Sequence, residues 1–206
     1  MTLMRKAVPI AYLASMLLSL VCLVMLVFFN FAGVFTIKTI PGTKYETAFT
    51  YPGWQSIFWG VGEMIIQGYN EFTFDIWTCL GLFVPFICLI VCSILYLKAY
   101  KAKGKNRFKS ILEFVMAGTL VFGGIMLFNC DLLSIANASK VTGSYQNYYT
   151  QYLLPALNGE EYFKKEAYPK ILLIVCLITA AFKTGNGLLL IYQKRCGKLI
   201  KERNLL

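Results

Sequence analysis

The stretch ILLIVCLITAAFKTGNGLLLIY, residues 171–192, decides the fold. Its length is that of a helix crossing ~30 Å of hydrocarbon, and Lys183 is its one charged residue. Working outward, three more runs of the same kind stand at Ala7–Phe29, Ile76–Leu97 and Ile111–Phe128. The chain has 206 residues, is 58% hydrophobic and has a mean hydropathy of +0.62. A soluble domain of this size could not cover four such runs with polar surface. The expected fold class is therefore all-α membrane. A four-helix antiparallel transmembrane bundle fills one domain, residues 1–206, and the outer loops 30–75 and 129–170 form a small extracytoplasmic cap containing β structure.

The charge distribution gives the orientation. Of the twenty Lys and Arg residues, thirteen lie in short stretches: Arg5 and Lys6, Lys98 to Lys109, and Lys194 to Arg203. The two long connections hold six, balanced by eight acids. This positive-inside pattern predicts a plasma-membrane protein with N- and C-termini in the cytoplasm. The net charge of +10 is thus read as orientation and attraction to anionic lipid. No aromatic or Gly-rich recognition pattern accompanies it, so no nucleic-acid partner is expected. The first apolar run follows Arg5 and Lys6 as a signal peptide would, but it is too long and no A-x-A-like site follows, so it is read as a retained helix.

Within the first outer loop, Val34–Ile40 alternates, Pro41-Gly42 turns, and Tyr45–Tyr51 is extended again, which predicts a β-hairpin. Pro52-Gly53 breaks the second strand. The aromatic stretch after it lies on the membrane surface or folds back onto the helix ends. In the second loop, Glu160–Glu166 reads as a short amphipathic helix. Pro9 is placed in the first turn of helix one, and Pro85 mid-helix in helix two, where it frees the carbonyl of Gly81 and predicts a kink. Thr119/Gly123 and Ala181/Gly185 are small-xxx-small pairs that invite close helix approach.

Several chemistries are disfavoured by the inventory. The chain contains no His, which removes the usual general base and the commonest metal ligand. No Walker loop, GxSxG or CxxC is present. No catalytic residue, metal site or cofactor is expected, and the protein is read as not an enzyme. Glu46, Glu63, Glu71 and Asp75 are scattered and read as a solvated loop face. Five of the seven Cys fall within apolar runs, so a disulfide framework is not expected. Cys88 and Cys92 share a helix face as buried small residues, with a thiolate metal pair as the alternative. Asn137-Ala138-Ser139 matches a glycosylation acceptor, and Cys196 beside Lys194 and Arg195 a palmitoylation site.

Lys183 is the intramembrane candidate. Thr179, Asn186 and Gly187 share its helix face. Glu113, the one acid within another apolar run, sits about one turn in from the cytoplasmic end, within reach of a snorkelling lysine. Three readings stand: a buried ion pair that pins two helices, an ion or proton pathway, and snorkelling without function. The outer-loop interaction candidates are Trp54, Phe58, Trp59, Tyr148 and Tyr149. The leading functional reading is a non-enzymatic envelope interaction or scaffold protein. It binds a membrane-protein partner, lipid or another copy of itself through aromatic outer loops. The runner-up is a small transporter or channel subunit using Lys183, Glu113, Asn186 and Thr179.

Layout and motif carry two resemblances. Four helices with both ends inside and a larger β-like first outer loop resemble claudin-type proteins. Trp54 and Trp59 stand in Gly53-Trp54-Gln55-Ser56-Ile57-Phe58-Trp59-Gly60, while the cysteine pair of the claudin signature is absent. The segments Tyr51-Pro52-Gly53-Trp54, Phe58-Trp59-Gly60 and Phe74-Asp75-Ile76-Trp77 through Pro85 resemble small uncharacterised four-helix membrane proteins of low-GC Gram-positive bacteria. Sixteen Lys against four Arg, with many Ile, Asn, Phe and Tyr, suits an AT-rich genome. That resemblance implies the membrane fold and no particular activity.

Overall fold

The computed structural model describes residues 2–39, 47–58, 74–101, 106–133 and 163–203. In chain order these form α1 (Thr2–Phe29), β1 (Gly33–Thr39), β2 (Thr47–Pro52), α2 (Gly53–Phe58), α3 (Ile76–Lys101), α4 (Asn106–Phe128), β3 (Phe163–Lys165) and α5 (Ala167–Arg203). Four of the helices, α1, α3, α4 and α5, are long and apolar enough to cross a membrane. The chain is a multi-pass membrane protein on that ground.

Burial on α1 shows why water is the wrong solvent. Its inward stripe is Ser15, Ser19, Cys22, Leu26 and Phe29, spaced four and three apart, and begins with two hydroxyls. Its outward face carries Leu13, Leu17, Leu20, Val24 and Phe28. The more apolar side faces out, as lipid requires and water forbids. On α3 the stripe Thr78, Leu82, Leu89, Cys92 and Tyr96 keeps similar spacing, with buried Pro85 between. A 4-3 seam of this kind suits helices that interlock at shallow crossing angles.

All four long helices exceed the expected bounds. The structure adds Thr2 to Lys6 before the first apolar run, and Lys98 to Lys101 after the second. Residues 106–110 come before the third run, while 167–170 and 193–203 flank the fourth. Most of the added residues are charged or polar, and Lys, Arg and Gln are good helix formers. Hydropathy marks the membrane thickness, whereas the hydrogen-bonded helix continues past it. Pro9 consequently lies inside α1, where it forgoes the bond to the Arg5 carbonyl near a helix end. Pro85 is inside α3 as expected.

The chain divides into two compact units. One comprises Met1–Val24, Phe83–Gly123 and Ile174–Leu206; the other comprises Met25–Leu82 and Gly124–Leu173. The second unit contains a three-stranded sheet of order β2-β1-β3, with both pairings antiparallel. The hairpin strands match expectation within a few residues; the Pro41-Gly42 turn lies outside the described residues. Phe163–Lys165 is a strand, not the expected amphipathic helix. Its Phe35↔Lys165, Thr36↔Lys164 and Ile37↔Phe163 pairing to β1 supplies hydrogen bonds that so short a helix could not match.

The sheet is fastened at Thr36 in the central strand. Its hydroxyl donates to Glu166 Oε1 at 2.7 Å and lies 2.9 Å from Thr50 Oγ1. A carboxylate only accepts, so Thr36 uses its proton on Glu166 and Thr50 donates to Thr36. Beside it Phe35 and Tyr51 stack with centroids 4.8 Å apart. The backbone of Gly53 donates to the Ala32 carbonyl and that of Trp54 to the Asn30 carbonyl, tying α2 to the end of α1. A side chain on Gly53 would collide with the Phe29 carbonyl and ring, so only Gly fits.

Asp75 corrects the reading of the outer acids. It is buried and caps α3: Oδ1 accepts from the backbone of Trp77 at 3.0 Å and of Thr78 at 3.3 Å. Oδ2 accepts from the Thr78 hydroxyl at 2.6 Å. Glu46, Glu63 and Glu71 lie outside the described residues. Asp75→Ala is expected to cost about 1 kcal/mol through the lost cap, a few degrees of Tm for a chain of this size. Thermal unfolding in mild detergent checks it; an unchanged Tm contradicts the cap.

Candidate functional site

The strongest constellation lies in the first unit, on the apolar spans of α4 and α5. Lys183 Nζ is 3.3 Å from Glu113 Oε2, with side-chain exposures of 4% and 1%. The structure thus brings together the two ionisable residues that the sequence singled out. Neither Glu113 oxygen has a hydrogen-bond partner, so the contact is ionic without hydrogen-bond alignment.

Around the pair, Ser110 donates to the Gly187 carbonyl at 2.9 Å, and the Phe114 ring lies against Gly187. A Cβ at Gly187 would approach that ring to 3.0 Å, so this glycine brings α4 and α5 close. The expected Ala181/Gly185 pair does not serve this purpose. Ala181 is exposed and Gly185 has open space where a Cβ would stand. Gly187, one turn beyond Lys183 and on its face, makes the contact instead. On α4, Gly123 is buried, whereas Gly118 is exposed.

Thr179 is fully buried but faces a different neighbour. Its hydroxyl bonds the Val175 carbonyl at 2.7 Å and lies 3.2 Å from Cys22 Sγ on α1. Asn186 is buried, and its side-chain nitrogen has no hydrogen-bond partner. Lys183 and Glu113 form a pair, while Thr179 and Asn186 share the helix face without joining it.

Beside the pair is a cavity of about 200 Å³, lined by residues of all four long helices. Tyr12, Met16, Ser19, Leu20 and Leu23 come from α1, Ser93 and Tyr96 from α3, Glu113 and Met116 from α4, and Lys183 from α5. Tyr12 and Tyr96, both in its wall, stack on each other with centroids 4.9 Å apart. Hydroxyls and one ion pair in a mostly apolar wall can hold a small polar head on an apolar body, or a few waters.

A second ion pair, in the second unit, carried no local sequence signal. Lys165 Nζ is 3.1 Å from Asp131 Oδ1 and donates to the Phe128 carbonyl at 2.8 Å. It also stands 4.0 Å over the Phe128 ring centroid. A cation at the C-terminus of α4 satisfies an orphan carbonyl and complements the helix dipole. Neighbouring Cys130 is buried, and burial pushes its thiol up, out of the range where a thiolate forms at neutral pH.

Six cysteines are free among the described residues, and Cys88 and Cys92 lie 3.6 Å apart as thiols. Among the described residues no group of three or more His, Cys, Asp or Glu could hold a metal ion. Of the outer-loop candidates, Trp54 is half-buried in α2 and Phe58 closes that helix. Trp59, Tyr148 and Tyr149 lie outside the described residues. No family model matches the chain, and no curated protein matches it.

Proposed function

We propose that the protein is an antiparallel four-helix bundle of the cell membrane, with both termini cytoplasmic and the sheet as an extracytoplasmic cap. It serves as a non-enzymatic interaction protein, in keeping with the resemblance to small four-helix membrane proteins of low-GC Gram-positive bacteria. The observation that carries the reading is the sheet itself. It takes β1 and β2 from one long connection and β3 from the other, so both connections build one platform. A platform built from both connections fits a partner membrane protein or a second copy of the chain. The basic stretches support the orientation. Contacts of Ser110 with Gly187 and Glu113 with Lys183 run in opposite order along α4 and α5, which supports antiparallel neighbours.

The test is crosslinking of intact cells with an impermeant amine reagent. Wild type and Lys183→Met give a crosslinked product, while Thr36→Val, which unfastens β3, loses it. Loss in Lys183→Met with retention in Thr36→Val contradicts the platform. One observation favours a second reading, a small transport or channel subunit: the ion pair lines a cavity bounded by four helices. Under that reading Lys183→Met abolishes solute flux and leaves crosslinking intact.

A further inference from the structure

The cavity and its ion pair have a feature that neither the platform nor a pathway uses. Glu113 is fully buried, lines the cavity, and neither of its oxygens accepts a hydrogen bond. Lys183 compensates the charge at Oε2, while Oε1 has neither an ionic contact nor a hydrogen bond and is open to a donor from outside the chain. The cavity wall also reaches the hydrocarbon. Met16 and Leu20 line it and are 39% and 58% exposed on a span of α1 that lies within the apolar core. Entry is therefore lateral, from the bilayer, and the ligand that has access is a lipid.

The depth selects its head group. Glu113 lies five residues inside the Phe108 end of its span, roughly 8 Å along the helix. Dragging a phosphate or ammonium that far into hydrocarbon is costly, whereas a hydroxyl with one new acceptor is not. The pair offers one acceptor, Glu113, and one donor group, the Lys183 ammonium. A diacylglycerol offers the complement: one hydroxyl donor and ester carbonyls that accept. A sterol supplies the hydroxyl alone, and its rigid ring body exceeds a cavity of about 200 Å³, which a flexible acyl chain can enter in part.

We infer that the cavity is a binding site for a neutral acylglycerol, which enters laterally and places its free hydroxyl on Glu113 and an ester carbonyl on Lys183. The inference is independent of the platform reading, because it concerns the helices and not the sheet.

The experiment uses the full chain in phosphatidylcholine nanodiscs. These contain either a diacylglycerol or a phosphatidylcholine carrying the same photoreactive acyl chain. After irradiation, mass spectrometry maps the adducts. The expected result is diacylglycerol adducts concentrated on Ser19, Leu23 and Met116, lost on addition of dioctanoylglycerol. The phosphatidylcholine probe labels the outward residues Leu13, Leu17 and Val24 and is not displaced. Dioctanoylglycerol is also expected to raise the Tm of the wild-type protein, a readout that needs no variant. Glu113→Leu, which removes the acceptor, keeps the outward labelling and loses the cavity adducts. Equal labelling of cavity and outward residues by both probes, or no competition and no Tm rise, overturns the site. A sterol that competes while dioctanoylglycerol does not overturns the head-group assignment.

Discussion

Lys183→Met alone is expected to lower the stability of the detergent-solubilised protein by roughly 3–5 kcal/mol, and Glu113→Gln by a similar amount. Each leaves the partner dehydrated and uncompensated, since the two side chains are 4% and 1% exposed. The double variant Lys183→Met/Glu113→Gln is expected to lose less than the sum of the single losses, because it buries no lone charge. Thermal unfolding of all four proteins measures the coupling. Additive losses contradict the pair.

The second large effect is expected at the sheet. Lys165→Met removes the partner of Asp131, a cap on the Phe128 carbonyl and the cation over the Phe128 ring. Lys165 is 19% exposed, so water compensates in part, and the loss is set at the lower end for a broken buried pair, roughly 3 kcal/mol. Asp131→Asn in the same background recovers part of it. Hydrogen exchange at the amide of Thr36 is the local readout: the Glu166 N–H to Val34 carbonyl bond sets the alternation, so Thr36 exchanges backbone hydrogen bonds with Lys164 of β3. Unchanged protection in Lys165→Met would show that the lysine does not hold the strand.

Much of the membrane part was legible in the sequence because lipid imposes simple rules. A helix must be about 20 residues long and apolar outside, so four runs of that length declare themselves. Lys183 and Glu113 were legible for the complementary reason: a charge within such a run is costly enough to demand a partner. The helix ends were not legible, because hydropathy reports the bilayer and not the hydrogen bonds that continue through Lys98 to Lys101 and residues 193–203. Asp75 carries a local signal of its cap. An Asp one residue before an apolar helical run, with Thr78 three residues on, marks an N-cap. Strand Phe163–Lys165 is three residues long and has no periodicity of its own; only pairing with β1 makes it a strand. The Asp131–Lys165 contact joins residues far apart in the chain, and nothing local announces it. The glycine contact was misplaced for a geometric reason. Ala181/Gly185 and Gly187 all lie within two helical turns, and the position of Phe114 on α4 decides which of them meets a neighbour.

The central claim is a chain that crosses the membrane through its long helices with the sheet on the outer side. Single cysteines at two exposed lysines test it most directly: Lys164 on β3 and Lys98 at the end of the second apolar span. Intact cells are treated with a membrane-impermeant maleimide, with the unmodified chain as the background control. Lys164→Cys is expected to be labelled in intact cells, and Lys98→Cys only after the membrane is opened. Labelling of Lys98→Cys in intact cells with protection of Lys164→Cys would contradict the orientation, and with it the placement of the platform outside the cell.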